Sequence, residues 1–480
     1  MKNPPAIPPG AVTVHLIAVC GTGMGALAAA LKEMGYGVTG SDANVYPPMS
    51  TFLAERGIAV NQGFCASHLA YGPDLVIVGN AVKKDNPEAV YALEAGLPYC
   101  SMPQAVNHFL AGDRQTVVVC GTHGKTTTAS MAAWLLASAG CDPSFMIGGI
   151  VSNFSSNYRV GNGPYMVIEG DEYDTAFFDK GAKLLHYRPD VVIWTGAEFD
   201  HADIFDDIEQ IRSVFRAYFL QMRPDQTLVA YGADAAADRL LAGLGCRVQT
   251  YGIRAEDHWR IGAESTAPGK NAFSLFCREK RFGRFEMTPA GAHNRLNAGA
   301  AVAAAANLGL SAAQISEGLQ SFAGVRRRQE IRGVAGGVTV IDDFAHHPTA
   351  VRETIAAIRW AYPQSRLIAV FEPRTNTSMR NVFQQVYPDC FDNADLICIR
   401  KASLLHKVPE GQRFSSLQLA ADLRKKGKHA HCFDDTGKIV DFVADRAKAG
   451  DVVLVMSNGG FDNIHESLLE ALKHPPEPGL

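Results

Sequence analysis

The feature that most constrains the fold of this chain is a strand–turn–helix unit that occurs in three separate regions. Each unit has an apolar strand, a glycine-rich or polar turn and an amphipathic helix, and the first two units begin at Val14 and Thr116. Several further strands of the same kind follow beyond residue 330. Strands that alternate with helices form parallel sheets, and ligands bind beyond the carboxyl ends of those strands. The sequence therefore predicts an α/β protein with binding sites at three sets of strand ends.

Polar breaks divide the chain into three predicted domains. One break lies near residues 110–113 and the other near residues 322–324. We therefore expect domains at 1–112, 113–323 and 324–480. The length of 480 residues agrees with this number, since a domain has roughly 150 residues.

Composition and charge exclude several classes of protein. Hydrophobic residues make up 47% of the chain and charged residues 20%, which excludes a disordered or collagen-like chain. The formal net charge of −4 leaves no bulk positive field for nucleic acid or an anionic membrane. No apolar run reaches the roughly 18 to 20 residues that span a bilayer, and the amino-terminal residues lack the apolar core of a signal peptide. We expect a soluble, cytoplasmic protein, and its oligomeric state stays open.

The first glycine-rich turn predicts a nucleotide or nucleotide-sugar site. It follows a strand, opens a helix and contains Gly21, Thr22, Gly23, Met24 and Gly25. Backbone N–H groups and the helix dipole at such a turn can hold a phosphate. Asp42 lies about 20 residues beyond Gly21, where a ribose hydroxyl is expected. The nucleotide stays unspecified because the last position of the fingerprint is Ala26, and a tight turn without a ligand would have the same pattern.

The second turn is the strongest signal in the chain. It lies between an apolar strand and a helix and consists of Gly121, Thr122, His123, Gly124, Lys125, Thr126 and Thr127. Glycines let the backbone wrap around a triphosphate, Lys125 can neutralise the β- and γ-phosphates, and the Thr126 hydroxyl can ligate Mg²⁺. Val119 stands where a standard Walker A sequence has glycine, so this is a shortened phosphate loop. The pattern predicts ATP binding.

Two further strand ends carry acidic side chains. The first group directly follows an apolar strand and contains Glu169, Asp171 and Glu172. The second group also includes a histidine and consists of Glu198, Asp200, His201 and Asp203. P-loop proteins place their Mg²⁺ ligand after such a strand. A solvated acidic loop would have the same composition, but the phosphate loop favours metal or phosphate chemistry.

Two polar groups lie near the predicted boundary of the third domain. Asn294 and Asn297 are three residues apart near the start of an alanine-rich helix, so they share one helix face. They could bind an adenine edge, or they could be a helix cap and an exposed amide. The three arginines at 326–328 could clamp a γ-phosphate or form a solvated charged edge.

The third domain offers candidates at two strand ends. Asp343 follows an apolar strand and could reach a ribose or a phosphate-bound metal. Arg374 follows another strand and could bind a substrate carboxylate through two parallel hydrogen bonds. Asn376 is a further candidate for substrate contact because it lies in the same turn.

The segments GTHGKTT, EGDE, FDHADIF, HNRLNA, RRR and DDFAHHP, in that order, resemble the Mur ligase family of peptidoglycan synthesis. The resemblance runs from Gly21 to about Gly460, nearly the whole chain. It implies a Rossmann-like amino-terminal domain that binds UDP, a central P-loop ATPase domain and a Rossmann-like carboxyl-terminal domain. It also implies a ligase that uses ATP and Mg²⁺ to convert the carboxylate of UDP-N-acetylmuramic acid (UDP-MurNAc) into an acyl phosphate, which an amine then attacks.

Two amine substrates compete within the family. The segments EGDEYDTAFFDK, EFDHADIF, FEPRTNT and MSNGGF are similar to members that attach the murein tripeptide L-Ala-γ-D-Glu-meso-diaminopimelate during peptidoglycan recycling. The alternative is attachment of L-alanine alone, and no physical feature of the sequence separates the two. A nucleotide-sensing binding protein would leave Glu169 and His201 without a task, and an NAD-dependent oxidoreductase would leave the phosphate loop unexplained.

The resemblance also implies roles for single residues. Lys125 would hold the β- and γ-phosphates, Thr126 and Glu169 would ligate one Mg²⁺, and His201 would serve a second. The implied nucleotide contacts are Asn294 and Asn297 for adenine, Arg327 or Arg328 for phosphate and Asp343 for ribose. The implied UDP-sugar contacts are residues 21–25, Asp42 and Asn80. Arg374 and Asn376 are the candidates for reading the diaminopimelate end of the peptide.

One position departs from the family pattern. Several Mur ligases carry a carbamylated lysine about 15 residues after the histidine that corresponds to His201, and Arg216 stands there in this chain. Arginine stays protonated and cannot form a carbamate. We therefore predict a site without a carbamate, in which another group orients the second Mg²⁺.

Overall fold

The computed structural model describes residues 7–264, 271–403 and 405–473. Three α/β sheets follow one another along this part of the chain, together with one separate two-stranded hairpin. The first six residues, on which the signal-peptide expectation partly rests, lie outside the described residues. In the described ranges, no helix combines the length and the apolar composition needed to cross a bilayer.

The first sheet has five parallel strands in the order β3-β2-β1-β4-β5. Its strands are Thr13–Ile17 (β1), Gly37–Asp42 (β2), Ala59–Gln62 (β3), Leu75–Val78 (β4) and Tyr99–Ser101 (β5). Its helices are Thr22–Glu33 (α1), Met49–Ala54 (α2), Pro87–Glu94 (α3) and Met102–Ala105 (α4). The central strands β1 and β4 are almost wholly buried, because helices cover both faces of a parallel sheet and both faces must be apolar.

The second sheet has ten described strands in the order β17-β16-β15-β14-β13-β12-β6-β9-β7-β8. The strands of this region are Gln115–Cys120 (β6), Ser144–Val151 (β7), Ser156–Arg159 (β8), Tyr165–Glu169 (β9), the hairpin Asp174–Ala176 (β10) and Asp179–Ala182 (β11), Val191–Trp194 (β12), Thr227–Tyr231 (β13), Arg247–Gly252 (β14), Trp259–Ala263 (β15), Asn271–Cys277 (β16) and Lys280–Met287 (β17). The helices are Lys125–Ser138 (α5), Ile208–Phe219 (α6), Ala237–Leu241 (α7), Ala292–Asn307 (α8) and Ala312–Gln320 (α9).

Successive side chains of β6 belong alternately to the two apolar cores on opposite faces of the second sheet. Val117 and Val119 pack with the helices α5 and α8, whereas Val118 and Cys120 face the opposite core, which contains the aromatic residues of α6. Successive residues of a strand point to opposite faces, so one apolar strand serves two helical layers. The phosphate loop therefore follows a strand that is packed against helices on both faces of the sheet.

The third sheet has six described strands in the order β18-β19-β23-β20-β21-β22, with β18 antiparallel at the edge. Its strands are Glu330–Ala335 (β18), Val338–Asp343 (β19), Leu367–Phe371 (β20), Leu396–Arg400 (β21), His429–Phe433 (β22) and Val452–Met456 (β23). Its helices are Pro348–Ala361 (α10), Ser416–Lys425 (α11), Thr436–Arg446 (α12) and Ile464–Lys473 (α13). The predicted α/β class with Rossmann-like sheets at both ends is confirmed.

Strand order decides where the candidate site forms. In the second sheet β6 lies between β12 and β9, with parallel pairs on both sides. Their carboxyl ends meet at one edge, since Cys120 pairs with Trp194 and Val119 pairs with Glu169. The phosphate loop and both acidic segments consequently lie side by side, although His201 follows Gly121 by 80 residues of sequence.

Candidate active site

The phosphate loop between β6 and α5 requires glycine at two positions. Gly121 has φ 122° and Gly124 has φ 75°, a region of backbone space that side chains rarely adopt. A Cβ on Gly124 would overlap the Oδ1 of Asn297, and one on Gly121 would overlap the hydroxyl of Thr195. The Thr195 hydroxyl also donates to the carbonyl of His123 at 2.6 Å, which fixes the loop from the neighbouring strand.

Lys125 forms a buried ion pair with Glu172. Its Nζ donates to both carboxylate oxygens of Glu172 at 3.1 and 3.2 Å, and the Glu172 side chain is only 1% exposed. Burial opposes the charged lysine, but the carboxylates of Glu172 and Glu169 outweigh it and raise the pKa of Lys125. Lys125 therefore stays charged. No role for Glu172 was predicted from the sequence, although it is a carboxylate three residues after Glu169 in the same strand-end turn.

Thr126 and Glu169 meet as the sequence predicts for a magnesium site. The Thr126 hydroxyl donates to Oε1 of Glu169 at 3.0 Å, and Oε2 of Glu169 accepts the N–H of Gly148 at 2.8 Å. A hydroxyl and a carboxylate at a strand end are oxygen donors of the kind that Mg²⁺ takes. The two residues therefore fit this ion.

His201 lies beside the same ion pair. Its Nε2 is 4.0 Å from Oε2 of Glu172, and its ring contacts that of Tyr173 at a centroid distance of 4.4 Å. Its backbone has φ 56°, held by the N–H donated to the Asp200 carboxylate at 2.7 Å. Glu172 thus lies between Lys125 and His201. Arg216 lies on α6, where its guanidinium donates to the Leu240 carbonyl at 2.7 Å.

A cavity of about 390 Å³ opens next to the phosphate loop, between the second and third sheets. Its size suits a small-molecule ligand. Asn294 and Asn297 line it and are both buried, so the interpretation of an exposed amide does not hold. Asn294 donates to the Ala290 carbonyl at 2.8 Å, and Asn297 donates to the Asn294 amide oxygen at 3.2 Å.

The two candidate arginines differ in their position relative to the cavity. Arg328 lines it, and burial lowers the pKa of this guanidinium. Arg327 does not line it, because its Nη2 donates to the carbonyls of Ser457 and Gly459 at 2.6 Å each. Asp343 lines the cavity and accepts the N–H groups of Gln329 and Ala345 at 2.8 Å, while burial raises its pKa.

The candidates of the first domain lie at neighbouring strand ends. The glycine-rich turn at residues 21–25 follows β1, Asp42 ends β2, and the exposed Asn80 follows β4. The Asp42 carboxylate accepts the N–H groups of Cys20 and Asn44, both at 2.9 Å. The carboxylate thus fixes the start of the turn.

Arg374 and Asn376 follow β20, and Asn376 contacts the second domain. Arg374 packs over Gly459, with its Nη1 3.6 Å from Glu372. The Asn376 amide donates to the carboxylate of Asp203 at 2.8 Å, across the interface between the second and third sheets. Asn376 therefore joins the third sheet to the loop that carries His201, a contact that the sequence did not predict.

These features define an ATP-using enzyme in which a shortened phosphate loop faces two acidic strand ends and a third α/β domain lies across the cavity. Family models match along almost the whole chain: "Mur ligase family, catalytic domain" at residues 13–114, "Mur ligase middle domain" at 119–305 and "Mur ligase, glutamate ligase domain" at 326–459. The chain belongs to the Mur ligase family. It is therefore an ATP-dependent ligase that forms a carbon–nitrogen bond.

Two relatives and one solved structure illustrate the similarity. The UDP-N-acetylmuramate–L-alanyl-gamma-D-glutamyl-meso-2,6-diaminoheptandioate ligase of Escherichia coli (strain K12) is 40% identical, over 97% of this chain and 99% of its own length. The UDP-N-acetylmuramate–L-alanine ligase of Syntrophomonas wolfei is 34% identical, over 96% and 97%. The crystal structure of a murein peptide ligase from Psychrobacter arcticus 273-4 has a TM-score of 0.70 at 33% identity, covering 96% of this chain and 99% of its own.

Proposed function

We propose that this enzyme attaches the tripeptide L-Ala-γ-D-Glu-meso-diaminopimelate to UDP-MurNAc in peptidoglycan recycling, with ATP as the energy source. The observation that carries the choice is the 40% identity, over nearly the full length, to a ligase named for that tripeptide, against 34% for a ligase named for L-alanine. The coverage of 97% of this chain supports the proposal for the whole enzyme rather than for one domain.

The proposed reaction needs charge neutralisation more than covalent chemistry from the protein. The muramate carboxylate attacks the γ-phosphate of ATP, so that ADP leaves and an acyl phosphate forms. The peptide amine then attacks the acyl carbon, loses a proton and displaces phosphate. Lys125 approaches the β- and γ-phosphates and exchanges part of its contact with Glu172 for phosphate oxygens, since charge stabilisation dominates phosphoryl transfer. Mg²⁺ held by Thr126 and Glu169, with a second ion near His201, would neutralise further phosphate charge.

The proposed nucleotide site is the cavity beside the phosphate loop. Asn294 and Asn297 would face adenine, Asp343 the ribose, and Arg328 the phosphates. Of the two arginines that the sequence offered, we propose Arg328, because the guanidinium of Arg327 is engaged by two carbonyls of the third sheet.

The other two substrates would approach from the two outer sheets. The glycine-rich turn at residues 21–25, with Asp42 and Asn80, would hold the UDP-sugar. Arg374 is our candidate for a carboxylate of the peptide. We propose the domain boundaries at 1–112, 113–323 and 324–480, because both divisions fall between one sheet and the next.

We also propose that the site works without a carbamylated lysine. Arg216 occupies the expected position and cannot carry a carbamate. Glu172 is the carboxylate that lies next to His201 and can take over the orienting role. Carbon-13 NMR of the enzyme in 13C-labelled bicarbonate at neutral pH should show no lysine carbamate signal; such a signal would contradict this.

The assay that tests the proposed function compares two amine substrates. ADP release is measured with Mg²⁺, ATP and UDP-MurNAc, in parallel with L-alanine and with the tripeptide. We expect turnover with the tripeptide and none above background with L-alanine, and the product mass should equal UDP-MurNAc-tripeptide. Turnover with L-alanine alone would assign the other ligase activity, and silence with both would refute the proposal.

A further inference from the structure

We propose that His123, Glu198 and His347 form a binding site for zinc that spans the second and third sheets. His123 lies in the phosphate loop, Glu198 follows β12, and His347 directly precedes α10. This trio shares no residue with the proposed magnesium ligands Thr126, Glu169 and His201. The proposal therefore goes beyond the ligase reaction.

The spacing of the three side chains suits a tetrahedral ion. Oε2 of Glu198 lies 3.4 Å from Nε2 of His123 and 3.7 Å from Nδ1 of His347, and all three ligand atoms lie within 4.8 Å of one another. Zinc with bonds of roughly 2.0–2.1 Å in tetrahedral geometry places its ligand atoms about 3.4 Å apart. Two of the three separations are therefore close to that value already.

His347 is held in the tautomer that a metal ligand needs. Its Nε2 donates to the Phe199 carbonyl at 3.1 Å, which leaves Nδ1 as the unprotonated ring nitrogen, 3.7 Å from Oε2 of Glu198. Burial, with a smaller contribution from His123, lowers the pKa of His347 to about 4, so the ring is neutral at pH 7. A ligating histidine typically donates its other N–H to a carbonyl or carboxylate in this way. The N–H of Thr349 contacts Nδ1 at 3.3 Å, a long bond that the ion would replace.

His123 and Glu198 supply the other two ligand atoms. Nε2 of His123 is buried and has no hydrogen-bond partner among the described residues, since its approach to Glu198 lacks the alignment of a hydrogen bond. Such orphaned atoms are rare in proteins and call for an explanation. The Thr349 hydroxyl donates to Oε2 at 2.6 Å and orients the carboxylate.

The ligand set selects zinc over magnesium. Two imidazoles and one carboxylate suit Zn²⁺ and similar transition metals, whereas Mg²⁺ prefers oxygen ligands. Three protein ligands leave a fourth position open, and His123 and Glu198 line the cavity, so this position faces the cavity. Because His347 precedes α10 of the third domain, a bound ion would connect that domain to the phosphate loop.

Cobalt is the spectroscopic probe that we would use for this site. The full chain is titrated with Co²⁺ in excess Mg²⁺, which keeps the Thr126–Glu169 site occupied. We expect one equivalent of Co²⁺ with the intense visible absorption of a four-coordinate ion, displaced by one equivalent of Zn²⁺. His347→Gln should weaken binding at least tenfold. His429→Gln, which removes an exposed histidine of β22, should leave it unchanged.

A second variant keeps the test decisive. His347 caps α10, so Glu198→Gln is measured alongside, because it keeps the side-chain shape and removes the charge. Each variant's fold is checked by circular dichroism, and both should lose the visible band. Unchanged binding in both variants, or no four-coordinate band in the wild type, would refute the site. A thiolate charge-transfer band that disappears in Cys65→Ser would assign the ion to that exposed cysteine instead.

Discussion

At the scale of single residues, the pairing of Lys125 with Glu172 links stability to catalysis. Lys125→Met leaves the buried Glu172 carboxylate without its partner, and breaking such a pair costs about 3 kcal/mol. We expect a loss of that size in the free energy of unfolding, measured by urea titration. ADP release should fall at least about 100-fold, because the proposed donor to the phosphates is lost.

Two further variants separate these effects. Lys125→Met combined with Glu172→Gln removes both charges, so it should regain much of the stability but none of the activity. Lys180→Met removes an exposed lysine paired with Asp174 and should change neither quantity by much. Full activity in Lys125→Met would contradict the role of this lysine.

Gly124 shows how one backbone position controls the phosphate loop. Gly124→Ala places a side chain at φ 75° and against the Asn297 amide, so the loop or that amide must shift. We expect the KM for ATP to rise at least tenfold. Gly140→Ala is the matched control, since its φ is 81° but no atom lies within 4 Å of the added Cβ. It should cost only about 1 kcal/mol of stability, and equal kinetic effects of both variants would contradict the overlap.

The burial of His293 predicts that the stability of the protein depends on pH. Burial, and then the charges of Arg328 and Arg295, lower the pKa of His293 from 6.5 to about 4. The unfolded chain therefore binds a proton more readily between pH 6.5 and 4, and stability falls as the pH falls through that range. From pH 7 to 5 this residue should cost up to about 2 kcal/mol. His293→Gln should reduce the loss measured by urea unfolding, while the exposed His429→Gln should leave it as in the wild type.

At the scale of elements, periodicity and turn chemistry predicted the parallel strand–turn–helix units but not the antiparallel strands. Apolar strands followed by glycine turns are local signals, so β6 with its phosphate loop and the helix α5 could be read directly. The antiparallel strands β15–β17 and the hairpin β10–β11 have no such turn, and their pairing depends on partners distant in sequence. The role of Glu172 could not be predicted for the same reason. Its partner Lys125 follows a different strand, 47 residues earlier in the sequence.

The segment between α9 and β18 illustrates why adjacent arginines could not be separated from sequence. Arg327 has φ 62° and donates to two carbonyls of the third domain, whereas Arg328 lines the cavity. Arg327→Ala removes a charged donor to two carbonyls and should lower the free energy of unfolding by about 2 kcal/mol. Arg328→Ala should instead raise the KM for ATP at least tenfold with a smaller change in Tm. Arg326→Ala, an exposed neighbour, is the control, and a reversed pattern would contradict the assignment.

At the scale of the whole molecule, the site depends on contacts that no local pattern contains. The cavity is lined by residues of α8 in the second domain and of α10 in the third. Asn294 and Asn297 were predicted as a pair because they share a helix face. Their burial against the third sheet was not predictable, because it depends on how two separately folded sheets pack.

The contact between Asn376 and Asp203 makes this packing testable. Asn376→Asp replaces a 2.8 Å hydrogen bond by two like charges, which costs about 1 kcal/mol at an exposed site. The third sheet should then separate more readily from the loop that carries His201, so ADP release should fall several-fold and small-angle scattering should give a larger radius of gyration. Both changes should shrink in 1 M salt, because salt screens exposed charges. Asn393→Asp adds the same charge away from this interface and should have neither effect; a radius unchanged in low salt would show that this contact does not hold the sheets together.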